Sequence, residues 1–178
     1  MNRLQRLGLV ALIVFVAVGF DQLTKKLATQ ALASSPPISL LNNTIRLEYS
    51  ENPGAILGVG ANLPGAVRLG LFALFVAGVV LLTLVFTFTS RSLGFGPLAG
   101  LALISAGGVG NLLDRLFNHG TAIDFMNLGL GRLRTGIFNV ADLAIFGGIL
   151  IFLLFSAKSK APAAAPKTPP APGADDQL

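Results

Sequence analysis

Two aspartates, Asp124 and Asp142, stand where carboxylates are costly. Asp124 is set in Ala122-Ile123-Asp124-Phe125-Met126, and Asp142 opens an apolar run with no other charge as far as Phe155. An ionisable residue in such a segment costs roughly 2.5–3.5 kcal/mol at mid-bilayer on insertion scales, so it usually has a partner or a task. Two neighbouring carboxyls cannot both ionise easily, and one keeps its proton at neutral pH, as paired acid–base chemistry requires. Taken singly, either aspartate could equally be a helix N-cap near the membrane interface.

Peptide hydrolysis by two aspartates needs one carboxylate to activate water and one carboxyl to polarise the scissile carbonyl. It needs no covalent intermediate, which suits a chain with no cysteine and a single histidine, His119. The same counts exclude a thiol nucleophile, a cysteine metal site, a disulfide framework and a His-Glu-x-x-His zinc site. No metal or cofactor is expected. Asn139, three residues before Asp142, is placed to hydrogen-bond the aspartates or a substrate backbone. Asn111 and Arg115 are four apart on one helical face and could orient the aspartates or a substrate. Asp114 could instead pair with Arg115 as a helix-end charge pair. Asp21 and Lys25, also four apart, can pair with each other. Arg132 and Arg134 lie in a Gly-rich loop from Gly129 to Gly136 and are expected to be solvated.

The elements that must position these residues are read from apolar runs. The chain has 178 residues, 53% hydrophobic, only 12% charged, with a mean hydropathy of +0.74. A soluble domain would carry about twice that charged fraction, so this is a membrane protein with room for a few spans. The net charge of +5 comes from basic residues scattered along the flanks of apolar segments and does not argue for nucleic acid. Arg3 and Arg6 before the apolar run Leu7 to Phe20, with Ala31-Leu32-Ala33 beyond, resemble a secretory signal. Asp21, Lys25 and Lys26 interrupt that pattern, which favours an uncleaved span over 7–27, ~30 Å long.

Further spans are expected at about 67–88, 98–115 and 138–155. Gly100, Gly107, Gly108 and Gly110 in the third permit close helix approach. Between the first two spans, Ile45, Leu47 and Tyr49 alternate with Arg46, Glu48 and Ser50, the period of a half-buried strand. The region 38–62 is therefore expected to be a small extramembrane sheet. The fold class that follows is an α-helical membrane protein of four spans with a small β-sheet after the first. Residues 1–157 would form the membrane-embedded domain, and 158–178, rich in Ala and Pro, a disordered tail. Basic residues flank both sides, so the positive-inside count decides poorly. Arg3 and Arg6 favour cytoplasmic termini.

Five motifs resemble one family in order and spacing, lipoprotein signal peptidase (signal peptidase II). They are Asp21-Gln22-Leu23-Thr24-Lys25, Asn52-Pro53-Gly54-Ala55, Gly110-Asn111-Leu112-Leu113-Asp114-Arg115, Ile123-Asp124-Phe125 and Phe138-Asn139-Val140-Ala141-Asp142. Each is weak alone; five in order across about 155 residues are specific. The resemblance implies a monomeric aspartic intramembrane protease of bacterial inner membranes that works among membrane lipids. It would cleave lipid-modified prolipoproteins before a diacylglyceryl-modified cysteine, near the outer face. It further implies Asp124 and Asp142 as catalytic residues. Asp21, Lys25, Asn52, Gly54, Asn111, Asp114, Arg115 and Asn139 would bind substrate or support the site, and the strand region would match the family's β-cradle. The sequence departs from the family pattern after Gly54-Ala55, where members often carry a small residue and then Phe, and here stand Ile56-Leu57.

Two other functions fit less of the sequence. A serine protease would use Ser105 and His119, but no Gly-x-Ser-x-Gly turn surrounds Ser105. A presenilin-like Gly-x-Gly-Asp is absent too, because Gly108-Val109-Gly110 is followed by Asn111. A small carrier or scaffold would use the intramembrane charges as a relay or as structural pairs.

Overall fold

The computed structural model describes residues 1–53, 63–90 and 93–158. In chain order these form α1 (Arg3–Leu32), β1 (Ile38–Leu40), β2 (Ile45–Asn52), α2 (Gly65–Thr89), α3 (Phe95–Phe117), β3 (Ala122–Leu130), β4 (Leu133–Arg134) and α4 (Val140–Lys158). The expected fold class, apolar helices with a small antiparallel sheet, is what the chain adopts. Gly54, Ile56 and Leu57, with the rest of 54–62, lie outside the described residues, as does the tail beyond 158.

α1 opens with a capping box. The Asn2 side chain accepts from Gln5 N at 2.8 Å, and the Gln5 side chain accepts from Asn2 N at 2.9 Å. The helix then runs unbroken for 30 residues, about 45 Å, through Asp21 and Lys25. Both side chains are buried within the bundle. α1, α2 and α3 are each long and apolar enough to cross a membrane. α4 is apolar from Val140 to Ser156, about 26 Å. It starts at Val140 rather than 138 because Asn139 occupies its N-cap.

The helices alternate in direction. The Arg6 guanidinium reaches the carbonyl of Ser90, the C-cap of α2, and Gly96 at the start of α3 faces Phe155 near the end of α4. The N-terminus and the end of α4 therefore share one end of the bundle, opposite the sheet. α3 is central and packs against all three other helices, most extensively α4. Glycine makes that approach possible: a Cβ on Gly100 would stand 2.7 Å from Gly148 O, and one on Gly148 would stand 2.6 Å from Gly100 O. Burial is inverted relative to a water-soluble protein. Phe15, Leu74, Phe75 and Phe146 are 70% exposed or more, whereas Asp21, Lys25, Asn111 and Asn139 are buried. Outward apolar faces suit lipid, while polar groups gain only by meeting one another.

The sheet corrects the expected layout. Its order is β1-β2-β3-β4, antiparallel throughout, so half of its strands come from the segment between α3 and α4 rather than from 38–62. β2 alone would leave a row of backbone donors and acceptors unpaired, and β3 supplies their partners. β3 places Asp124 opposite Ser50 and Ala122 opposite Asn52. After β4 the chain returns, and Phe138 bridges Met126 through bonds of 2.8 and 2.9 Å. The next residue, Asn139, is thereby delivered to Asp124. Phe125 packs with Ala28 and Leu32 of α1, which seats the strand over the helix end. Gly120, at φ +87°, turns the chain from α3 into β3, a conformation that favours glycine.

Candidate active site

β3 and α4 bring the two aspartates to one residue, Asn139. Its side-chain amide donates to Asp124 Oδ1 at 2.6 Å, and its backbone N–H donates to Asp142 Oδ2 at 3.1 Å. The Asp142 N–H returns a bond to Asn139 Oδ1 at 2.9 Å, so the N-cap and the third residue of α4 cap each other reciprocally. The N-cap alternative for Asp142 is thus partly realised: it sits in the first turn, where the helix dipole favours a negative charge, but the cap itself is Asn139. The remaining oxygens accept from two further amides. Asn52 Nδ2 donates to Asp124 Oδ2 at 3.0 Å, and Asn111 Nδ2 to Asp142 Oδ1 at 2.9 Å. Asp124 is buried and Asp142 half-buried.

Burial pushes the Asp124 carboxyl up from 3.8 to about 6. The negative charge of Asp142 adds to that rise, while the amides of Asn52 and Asn139 and the Lys25 ammonium oppose it. Of the two, Asp124 is the one that burial disposes to hold a proton.

Beneath this pair lies a second polar cluster. Lys25 Nζ contacts Asp21 Oδ2 at 2.8 Å, Asp114 Oδ2 at 2.7 Å and Asn111 Oδ1 at 3.0 Å. The expected Asp21–Lys25 pair forms. The proposed Asp114–Arg115 pair does not, because Asp114 turns inward to Lys25 and to the backbone of Ile123 at 3.0 Å. Asp21 Oδ1 accepts from Ala141 N at 2.8 Å, holding the first turn of α4. The cluster thus joins α1 to α3, to the start of β3 and to the start of α4. Gly110 leaves it room: a Cβ there would stand 2.7 Å from Asp21 Oδ2.

Arg115 shares the Asn111 face as expected, yet it bonds neither aspartate. Its Nη1 donates to the Asn111 carbonyl at 2.9 Å, and its guanidinium lies 4.3 Å over the Phe72 ring. The buried Nε has no hydrogen-bond partner among the described residues. Arg132 is exposed, but the expectation for Arg134 is overturned: it lies in β4 and bonds Asn127 and the Asn43 carbonyl, the latter at 2.7 Å. Strand pairing draws its side chain across the sheet instead of into solvent.

Ser105 and His119 are not brought together. Ser105 is buried 2.8 Å from the Thr83 hydroxyl, and His119 sits exposed in the turn beyond α3. No three His, Cys, Asp or Glu gather as metal ligands among the described residues. Sequence reasoning missed Gln22, which bonds Asp114 Oδ1 at 2.8 Å and the Gly110 carbonyl at 3.2 Å. Its spacing of three from Lys25 on one helix was the available signal. It also missed Phe72, for which an aromatic among many on an apolar helix gives no signal.

A profile of the family described as "Signal peptidase (SPase) II" matches residues 13–158. The chain is 37% identical over 164 residues to a lipoprotein signal peptidase of Desulforapulum autotrophicum, covering 89% of this chain and 96% of that one. It is 30% identical over 157 residues to a lipoprotein signal peptidase of Streptococcus pneumoniae, covering 88% and 97%. A bacterial membrane enzyme solved at 2.3 Å resolution by the in meso method shares the fold, with a TM-score of 0.74 at 21% identity over 90% of this chain and 94% of that one.

Proposed function

The chain belongs to the signal peptidase II family and is a multi-pass bacterial membrane peptidase, and from that premise we propose that it removes signal peptides from lipid-modified prolipoproteins by aspartic catalysis at Asp124 and Asp142. The observation that carries this reading is the joining of the two carboxyls, from a strand and a helix start, through Asn139. Asp142, less buried and held by two N–H donors, acts as the base: it takes a proton from water, whose oxygen attacks the scissile carbonyl carbon. Asp124, the carboxyl that burial disposes to hold a proton, hydrogen-bonds the carbonyl oxygen in its protonated form and supplies that proton as the tetrahedral diol forms. Collapse of the diol breaks the C–N bond: the proton held by Asp142 goes to the leaving amine, and a diol hydroxyl returns its proton to Asp124 as the acid carbonyl re-forms. The scissile bond would be the one before the lipidated cysteine. Family resemblance and lipid-facing helices support a monomer surrounded by membrane lipid. The leading Arg3 and Arg6 support cytoplasmic termini, with the sheet and the aspartates at the outer face.

Asp124→Asn and Asp142→Asn test this reading in a cleavage assay with lipid-modified prolipoprotein in detergent. Each is expected to remain inserted and monodisperse, since amides replace carboxylates of the same shape. Each should lose roughly a hundredfold or more in turnover, the scale of a missing acid–base group. The double variant should be about as inactive as either single one, because the two act as a unit. If either folded single variant kept more than about a tenth of wild-type turnover, against that expected loss, the carrier or scaffold reading would replace this one.

A further inference from the structure

Four aspartates and one lysine lie within two linked clusters, and the link between them has a direction. Lys25 carries only N–H donors, so the atom facing it must be an acceptor. That atom is Asn111 Oδ1, 3.0 Å from Nζ. The amide of Asn111 is thereby turned so that its Nδ2 points the other way, 2.9 Å from Asp142 Oδ1. Reversed, the amide would set its oxygen against a carboxylate and its NH2 against an ammonium, unfavourable on both sides.

Asn139 also donates to Asn111 Oδ1, at 2.9 Å, but its two side-chain hydrogens are shared among that oxygen, the Ile123 carbonyl and Asp124 Oδ1. Lys25 brings a full charge, is 2% exposed, and is held on its other sides by Asp21 and Asp114. It is therefore the stronger constraint. Around Asp142 the charged groups are Asp124 on β3, Asp21 and Lys25 on α1, and Asp114 and Arg115 on α3. Of these, Lys25 reaches Asp142 through Asn111, whose amide bonds both.

We propose that Lys25 is a positioning residue that sets the polarity of the aspartate pair, fixing the Asn111 amide as a donor to Asp142 so that Asp142 serves as the base. The assignment rests on the aspartic-peptidase reading above and deepens it. Both oxygens of Asp142 face N–H donors, which holds its carboxyl as an acceptor in a fixed orientation. Without Lys25, Asn111 is free to present its oxygen, and the preference of Asp142 for the base role weakens.

Removing Lys25 alone would strand two buried carboxylates, so the test uses Lys25→Met together with Asp114→Asn, which keeps the net charge of the cluster. Wild type and Asp142→Asn are assayed beside it. In folded, monodisperse protein the acid limb of the kcat/KM profile is expected to move to higher pH by roughly one unit, the scale one charge-assisted hydrogen bond supports. On the low-pH side of that limb kcat should fall about tenfold, with KM little changed. A purely structural role would lower the yield of folded protein without moving the profile.

Asn111→Asp is the second arm, because it still accepts from Lys25 but has no N–H for Asp142. It should reproduce the shift even if the first variant fails to fold. A wild-type profile in either folded variant overturns the proposal. Retained turnover in Asp142→Asn would instead overturn the aspartic reading, whatever Lys25 does.

Discussion

Asp21 and Asp114 below, and Asp124 and Asp142 above, are the same residue type in adjoining parts of one bundle, yet their surroundings differ in kind. The lower two share the Lys25 ammonium and each takes a backbone N–H, from Ala141 and Ile123 respectively. The upper two take hydrogen bonds from the neutral side-chain amides of Asn52, Asn111 and Asn139 and from the Asn139 backbone N–H, with no ion pair among the described residues. A carboxylate held against an ammonium serves as a fastener between elements. One held by amides keeps a choice of protonation state, which acid–base chemistry uses. The buried charge itself does not distinguish the two clusters; the charge of the donor does.

The widest separation between the regions should appear in folding. Lys25→Ala strands two buried carboxylates, a change that costs about 3–5 kcal/mol. The Asn variants of Asp124 and Asp142 strand none and should melt at or slightly above wild type. Thermal unfolding in detergent checks this; a Lys25→Ala protein as stable as wild type would erase the distinction between the clusters.

In the upper pair, Asp124 should respond to mild changes in pH. Asp124 binds its proton more tightly folded than unfolded, where a carboxyl titrates at 3.8. Its contribution to stability is therefore fully present below that value and is lost as pH rises through about 6. On the proposed mechanism the proton it loses is the one delivered to the scissile carbonyl, so kcat/KM should fall as pH rises through the same value. Asp124→Asn should unfold with less pH dependence between 4 and 7. A rate profile flat from pH 5 to 8 would place the acid elsewhere.

The smallest effect should come from the hydroxyls of the helix interface. Thr83 and Ser105 bond each other at 2.8 Å, both buried between α2 and α3, and also serve ordinary helix packing. Thr83→Val should cost about 0.6 kcal/mol, the average for such bonds within membranes, and leave turnover unchanged. A large loss of cleavage there would extend the working site into the bundle.

Much of this architecture was legible in the chain itself. Long apolar runs with few charges marked the helices, because lipid tolerates few charges over twenty residues. Alternation from Ile45 to Ser50 marked β2. The i, i+4 spacing of Asp21 and Lys25 marked their ion pair, because a helix fixes which side chains share a face. The apolar settings of Asp124 and Asp142 marked both as expensive residues needing an explanation.

Other features depended on segments distant in the sequence. β3 carries no strand signal of its own, since a strand buried against a helix end lacks clean alternation and declares itself only when β2 pairs with it. Asp114 had Arg115 beside it in sequence but took Lys25, because neighbouring residues on a helix point in different directions while the packing of α1 on α3 sets Lys25 opposite. The orientation of the Asn111 amide is of the same kind, decided by a lysine 86 positions away. Local spacing determines which groups a helix presents together. Which of them meet, and with which atom facing which, is decided when helices and strands pack, because desolvation penalises every polar atom left without a partner.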